Sequence, residues 1–315
     1  MSASSSIGVV IVNWNGRSDT AQCLRSLELV RKEWAECIVV DNASADGSPE
    51  ALRRDFPWIT LLDAEQNLGY AAGNNLGIRT ALTRGVEAVF VLNNDCTVFP
   101  GALRALSEAA AGDRQIGLAG PLVHRGTALK DSWYAGCNLS RRPFLPGENT
   151  ERAAIDAATP LDRDYVSGCA LFVRRHVVET IGLLDERFFL TWEDTDWSAR
   201  AHGAGLRTVI VPQARVAHRG SQSFDGLFSP LYCYYFFRNM LLFAKLHFSP
   251  VERPRAYRDV ASFARTVYHR WGRPSTRASM MAAMALGALH FAVGRFGPAP
   301  ERLTRRRVHN RASSP

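Results

Sequence analysis

The chain has 315 residues, 46% of them hydrophobic and 22% charged, which excludes a disordered protein and allows one large domain or a domain with a tail. Its formal charge of +8 admits nucleic acid, anionic lipid or phosphorylated substrates as partners, but much of the surplus sits in the terminal "ERLTRRRVHNRASSP", which also reads as a solvated end. Cys23, Cys37, Cys96, Cys137, Cys169 and Cys233 form no CxxC pair, which argues against a zinc site or a regular disulfide framework and fits a reduced, cytosolic compartment.

The first apolar run, "IGVVIV", is too short for a signal peptide or a span and has no basic leader, so it predicts a strand. A helix near 18–33, the strand "ECIVVD", a short helix, the strand "ITLLD", a helix near 74–84 and the strand "AVFVLNND" follow. This rhythm is βαβ, with parallel strands that are almost wholly apolar because both faces are covered. In "DNASADGSPEAL", Gly47 permits a tight turn, Ser48 is placed to cap a helix and Pro49 suits its first position.

Beyond residue 100 come the helix "GALRALSEAAAG", a loop rich in Pro, Arg and Gly to about 160, and "DYVSGCALFVRRHVVETIG". "TWEDTDWSARAHGAG" reads as a helix from near Glu193 to the glycines, followed by the strand "RTVIVP". The segment "LYCYYFFRNMLLFAKLHF" is aromatic and apolar, with Arg238, Asn239 and Lys245 interrupting it. "SMMAAMALGALHFAVGRF" would span about 27 Å as a helix, marginal for a bilayer, and its His290, Arg295 and small residues favour an embedded or surface-lying helix.

Four polar clusters fall at strand ends, where α/β sheets gather ligands: "NWNG" (13–16), "DNASADGS" (41–48), "NLGYAAGNN" (67–75) and "LNNDC" (92–96). Asp41 can accept a hydrogen bond from a ring N–H of a base, or form an Asx-turn. Gly69 and Gly73 leave backbone open to a sugar or phosphate, although neither a GK[ST] element nor GxGxxG is present. Asp95 can hold a hard divalent cation together with diphosphate oxygens, with Asn93 orienting a ribose or the metal's waters, or the triplet is a polar turn. Glu193, Asp194 and Asp196 lie in a first helical turn, where acids complement the dipole and where one can also act as a base. Asp196 stands four residues before Arg200, the spacing of an ion pair.

The ordered set "VVIVNWNG", "IVVDNASADGS", "NLGYAAGNN", "VFVLNNDC", "VSGCALFVRR" and "GLLDERFFLTWEDTDWSARAHGAG" resembles the family 2 glycosyltransferases, particularly the bacterial rhamnosyltransferase-like branch, from residue 7 to about 245. The resemblance implies an α/β GT-A fold, Rossmann-like, with a mostly parallel central sheet, flanking helices and a C-terminal helical extension. It implies a catalytic domain over 1–230, a helical segment over 231–300 and a basic, flexible tail over 301–315. The activity implied is inverting transfer of a sugar from a nucleotide diphosphate donor to an acceptor hydroxyl.

On this resemblance Asn13, Asn15, Asp41, Asn67, Gly69, Gly73, Asn74, Asn93 and Asn94 serve the nucleotide sugar, with Asp41 on a pyrimidine base. "NND" stands at the family's DXD motif with Asn93 replacing the first acid, so Asp95 and His218 become the ligands for Mg²⁺ or Mn²⁺, and Arg219 could add charge at the diphosphate. Asp194 is the base, Glu193 supports it or binds acceptor, Trp192 offers a stacking face, and Arg238 faces the acceptor or satisfies neighbouring backbone. L-Rhamnose from dTDP-rhamnose is the expected donor, with a glycan or lipid-linked glycan acceptor in cell-surface polysaccharide or glycolipid assembly. The expected location is cytoplasmic, with peripheral contact at the inner face of the membrane and no nucleic-acid partner. Two other classes remain: a nucleotidyltransferase, although no Gly-rich basic signature follows the first strand, and a basic nucleic-acid or membrane-binding protein, although no nucleic-acid motif accompanies the arginines.

Overall fold

The computed structural model describes residues 6–127, 129, 132–138, 157–219, 229–271 and 275–304. Part of the Pro-, Arg- and Gly-rich loop, the end of "AHRGSQS" and the tail from 305 onward lie outside the described residues. Two compact units are present, one made of the described residues up to 185 together with 193–219, the other of 186–192 together with those from 229 on.

The first unit contains β1 (Ile7–Asn13), α1 (Arg17–Leu29), β2 (Glu36–Asp41), α2 (Ser48–Asp55), β3 (Thr60–Asp63), α3 (Gly69–Thr83), β4 (Ala88–Asn93), β5 (Cys96–Val98) and α4 (Ala102–Gly112). It continues through β6 (Ile116–Arg125), β7 (Ser132–Tyr134), β8 (Leu161–Asp162), β9 (Ala170–Arg174), α5 (Arg175–Ile181), α6 (Glu193–Gly203) and β10 (Arg207–His218).

The continuous apolar runs are explained by burial on two sides. Ile7, Val9 and Ile11 of β1, Cys37 and Val39 of β2 and Phe90 and Leu92 of β4 join a core with Leu24 and Leu27 of α1 and Leu103 and Leu106 of α4. The alternate residues Val10, Ile38, Val40, Val89 and Val91 face a second core with Ile78 and Ala81 of α3, Val177 of α5 and Trp197 of α6. Each such aliphatic side chain contributes about 1.5–3 kcal/mol on burial, which outweighs the modest propensities of short strands.

The sheet order is β3-β2-β1-β4-β9-β6-β10-β5, with β7 added on β6 and β8 on β10. Strands β3, β2, β1 and β4 are mutually parallel, as are β6 and β10. Strand β9 runs antiparallel between β4 and β6, and β5 and β8 run antiparallel to β10. The order reverses between β1 and β4, the switch point at which α/β sheets open a crevice. Register there pairs Asn13 with Asp41 and Val12 with Asn93, so three polar strand ends share one edge.

Three local expectations are corrected. Helix α1 ends at Leu29 and a separate 3-10 turn covers Arg31–Glu33. Helix α3 starts at Gly69 rather than near 74, because Asn67 Oδ1 accepts from the Gly69 amide at 2.8 Å and Gly69 takes φ +82. Gly73 is thus inside the helix, and a Cβ there would lie 3.1 Å from Asn42 Nδ2 and Val12 Cγ2, so its bare backbone serves the packing of α3 on β1. At α2, Gly47 occupies the cap position with φ 74 and Asp46 Oδ1 accepts from the Ser48 amide at 3.1 Å, so Asp46 does the work expected of Ser48.

The second unit holds α7 (Pro230–His247), α8 (Arg253–Trp271), α9 (Arg277–Ala292) and α10 (Glu301–Thr304). Ser229 Oγ caps α7 by accepting from the Tyr232 amide at 3.2 Å, with Pro230 at the first position. Helix α9 has 16 residues, about 24 Å, and none of the described helices is long and apolar enough to cross a membrane. It buries Met280, Ala283, Met284, Gly287 and His290, and leaves Met281, Leu289 and the following Val293 exposed.

Candidate active site

The ends of β1 and β2 are laced together by side chains. Asn13 Nδ2 donates to Asp41 Oδ2 at 2.6 Å and to Ser44 Oγ at 3.1 Å, while its Oδ1 accepts from Thr20 Oγ1 at 2.6 Å. Asp41 Oδ1 accepts from the Ser44 amide at 2.8 Å, the Asx-turn alternative in physical form. Asn15 sits at φ 49, receives the Ala45 amide on Oδ1 at 2.7 Å and donates its own amide to Ser44 Oγ at 2.8 Å. Asn94 Nδ2 adds a hydrogen bond to Thr20 Oγ1 at 3.0 Å. The result is a stiff platform in which Asn13 and Asp41 are buried and already engaged.

Beside it, Asn42 Nδ2 donates to the Gly69 carbonyl at 2.9 Å, which ties the start of α3 to the end of β2, and within α3 Asn74 Nδ2 donates to the Tyr70 carbonyl at 2.9 Å. The Oδ1 atoms of Asn42 and Asn74 are buried without a hydrogen bond, each a cost of about 1–3 kcal/mol. Asn67 receives the amide of Gly69, the first residue of α3, as above.

Strand β10 delivers His218 to the triplet at the end of β4 because β10 and β5 pair antiparallel, His218 opposite Cys96. His218 Nε2 lies 3.0 Å from Asp95 Oδ1 and 3.3 Å from Asn93 Nδ2, and both His218 and Asp95 are only 7% exposed. Burial disfavours the imidazolium, but the Asp95 hydrogen bond, with Cys169 and the Asp95 charge, raises His218 above its ordinary value. Cys96 Sγ falls within 4.8 Å of both groups, but burial pushes its thiol well up and keeps it protonated, leaving Asp95 and His218 as the donor pair. One carboxylate oxygen and one imidazole nitrogen fit a divalent cation, with imidazole favouring Mn²⁺ over Mg²⁺. Arg219 pairs with Asp19.

Helix α6 gives its three acids three different environments. Asp196 is 1% exposed and accepts from Arg200 Nε at 2.9 Å, the predicted i,i+4 pair; Arg200 Nη2 also donates to the Leu183 carbonyl at 2.9 Å. Trp197 Nε1 donates to the Gly182 carbonyl at 2.9 Å and fixes the helix further. Glu193 is 5% exposed, and its Oε2 has no hydrogen bond. Asp194 alone of the three is partly exposed. Its Oδ2 accepts from the Gly168 amide at 2.8 Å and its Oδ1 from the amide and hydroxyl of Thr195 at 2.7 and 3.2 Å. Tyr70 Oη donates to the Gly168 carbonyl at 2.6 Å, so the turn that braces Asp194 is itself braced from α3.

Burial, reinforced by the Asp194 charge, holds Glu193 well above the usual glutamate range. Burial also raises Asp194, against the lowering effect of the Gly168 and Thr195 hydrogen bonds.

Trp192 and Arg238 are otherwise occupied than expected. Trp192 is 8% exposed and packs edge-on to Phe236 at 5.5 Å and tilted on Phe243 at 5.3 Å, so it offers no open stacking face. Arg238 is fully buried and donates to backbone carbonyls, the second of its two expected roles rather than the first. Sequence reading passed over Thr20, Ser44, Tyr70, Gly168 and Thr195. All but Thr20 stood inside quoted motifs, but only their contacts assign them a task.

A carboxylate whose folded pKa is raised favours the native state least when ionised, so the Glu193 effect is absent at low pH, grows as pH rises past the ordinary glutamate value and levels off once pH passes the raised folded value. Glu193→Gln should therefore flatten the fall in Tm between about pH 5 and about pH 8 and be at least as stable as the parent at the upper end. A lower Tm for the variant at the upper pH, by circular dichroism, would contradict this electrostatic account.

Residues 8–182 match the model of glycosyl transferase family 2. The N-acetylglucosaminyl-diphospho-decaprenol L-rhamnosyltransferase of Mycobacterium tuberculosis is 30% identical over 68% of this chain and 76% of its own length. The dTDP-rhamnosyl transferase RfbF of Shigella flexneri is 25% identical over 78% of this chain and 82% of its own. Among solved structures, the mannosyltransferase PcManGT of Pyrobaculum calidifontis, in complex with GDP-Man and Mn²⁺, superposes with a TM-score of 0.54 at 16% identity, covering 92% of this chain and 86% of that one, a likeness of fold alone. With a GT-A fold and more than half its length matched by the family model, the chain belongs to glycosyl transferase family 2.

Proposed function

We propose that the protein is an inverting, divalent-metal-dependent glycosyltransferase that moves L-rhamnose from dTDP-rhamnose to a lipid-linked glycan acceptor in cell-surface glycan assembly, on the cytoplasmic side of the membrane. The observation that carries the reaction type is Asp194, the one partly exposed acid of its cluster, held by Gly168 and Thr195 with a lone pair of Oδ2 to spare. Its raised pKa makes it a stronger base than an ordinary aspartate.

In the proposed step the acceptor hydroxyl gives its proton to Asp194 as its oxygen attacks the anomeric carbon. The bond from that carbon to the diphosphate breaks on the opposite face, so one displacement inverts the centre and needs no covalent intermediate. Asp95 and His218 would hold the cation, which supplies positive charge against the leaving diphosphate. The Asn13–Asp41 platform, with Asn15, Asn67, Gly69, Asn74, Asn93 and Asn94 around it, is assigned to the nucleotide sugar, and Glu193 to support of Asp194.

Rhamnose is supported by the names of the two relatives, and a lipid-linked acceptor by the decaprenol in one of them. Peripheral membrane contact is supported by the exposed Met281, Leu289 and Val293 and by the exposed arginines Arg255, Arg258, Arg265 and Arg270 of α8.

Asp194→Asn should lower transfer by about 10²- to 10⁴-fold, the range for loss of a general base, with dTDP-sugar affinity by calorimetry unchanged. Near-parental turnover would remove Asp194 from the role of base.

EDTA should suppress turnover and Mn²⁺ restore it, and Asp95→Ala or His218→Ala should weaken Mn²⁺-dependent dTDP binding by roughly tenfold or more, equivalent to about 1.4 kcal/mol. Binding and turnover indifferent to both treatments would rule out the cation site.

The protein should sediment with vesicles rich in anionic lipid and much less with neutral ones, and the exposed pair Met281→Glu and Leu289→Glu should release it. Equal recovery in the supernatant from both vesicle types would count against the membrane reading.

A further inference from the structure

The strap of residues 186–192, within the second unit, runs straight into the acid helix with a backbone that its own sequence disfavours. Phe189, Thr191 and Trp192 adopt φ 57, 69 and 73, in the left-handed region that a β-branched or aromatic residue rarely occupies. Such a conformation persists only where surrounding groups over-determine it.

Those groups are two neighbouring side chains of α7. Asn239 Nδ2 donates to the carbonyls of Phe188, Leu190 and Thr191 at 2.6, 2.9 and 2.9 Å. Arg238 Nη2 reaches the carbonyls of Arg187 and Phe188 at 3.4 and 3.2 Å, and its Nη1 that of Gly297 at 2.9 Å. Arg238 Nε donates to Asn239 Oδ1 at 3.0 Å, which settles the amide's orientation and turns its donors toward the strap. Phe189 completes the grip by stacking on Tyr235 with centroids 5.4 Å apart.

The guanidinium is an expensive way to fill this space. It is fully buried, and among the described residues no carboxylate forms an ion pair with it; the rings of Tyr234, Tyr235 and Phe296 lie 5.2, 5.1 and 5.8 Å from it. Burial accordingly depresses its pKa. An apolar side chain of similar volume would avoid this desolvation, so stability alone does not account for the charge.

We propose that Arg238 and Asn239 are positioning residues for sugar transfer: they hold the strap in its left-handed conformation and thereby set how the chain leads from Trp192 into Glu193 and Asp194. The proposal rests on Asp194 as the base. Neither residue touches the reacting atoms, and both act through backbone carbonyls of the strap.

Asn239→Asp is the discriminating variant. It conserves size, keeps an acceptor for Arg238 Nε and gives the buried guanidinium a carboxylate, but it deletes the donors that hold three strap carbonyls. The expected result is a folded protein whose strap amides exchange with deuterium at least tenfold faster. Its kcat should be lowered about 10- to 100-fold, and its dTDP-sugar affinity should stay within twofold of the parent. Arg238→Lys, which keeps the charge and loses the fork, should show a smaller change in the same direction, and it is read in the same way should Asn239→Asp fail to fold. Unchanged strap exchange, parental kcat, or a loss matched by an equal loss of donor affinity would overturn the proposal. In Asp194→Asn the strap should exchange at the parental rate, so an active Asp194→Asn protein would unseat the base while the exchange and kcat of Asn239→Asp still judge the strap.

Discussion

The parallel register of β1 with β2 on one side and β4 on the other is the constraint from which the first unit's site descends. It sets Asn13 beside Asp41 and Val12 beside Asn93, so polar residues that would be isolated turns become one surface at the reversal of strand order. The register is held by burial on both faces: a slip of one residue would exchange the Ile7, Val9, Ile11 set for the Val10 set and misfit both cores at once. Hydrogen bonds among Asn13, Asp41, Ser44, Asn15 and Thr20 then stiffen a geometry that the apolar cores have already selected.

The antiparallel additions perform a separate task. A purely parallel sheet sends its polar ends to one edge but limits which distant segments arrive there. Strand β9, inserted antiparallel between β4 and β6, starts where β4 ends, so the turn at 167–170 that leads into it meets Asp194 through the Gly168 amide. Strand β10, antiparallel to the short β5, ends at His218 opposite Cys96 and so beside Asp95. Chain reversal thus assembles a carboxylate–imidazole pair from residues more than a hundred positions apart.

Much of this was legible in the residues. The apolar strands, their polar ends, the acid-rich start of α6 and the Asp196–Arg200 pair all follow from periodicity and spacing, because each is decided within a few residues. What escaped depends on contacts across the fold. The bond from Tyr70 to Gly168 joins positions 98 residues apart, and the bond from Gly168 to Asp194 joins positions 26 apart. Gly73 read as open backbone for a ligand because glycine has that use, yet the helix begins earlier and the space is filled by Asn42 and Val12. Arg238 read as facing the acceptor or satisfying neighbouring backbone, and only its carbonyl partners across the fold decide for the second.

Two ionisable side chains in this chain are buried at a cost in solvation. Glu193 is buried with one oxygen unmatched, and Arg238 is buried against carbonyls and ring faces. Glutamine and an apolar residue would fill the same volumes with less penalty, and the left-handed backbone at Phe189, Thr191 and Trp192 adds to the same account. All three departures fall on, or act on, one stretch from 186 to 194. Local rules of folding are broken together along this stretch, a concentration expected where selection acts on chemistry and the cores supply the stability.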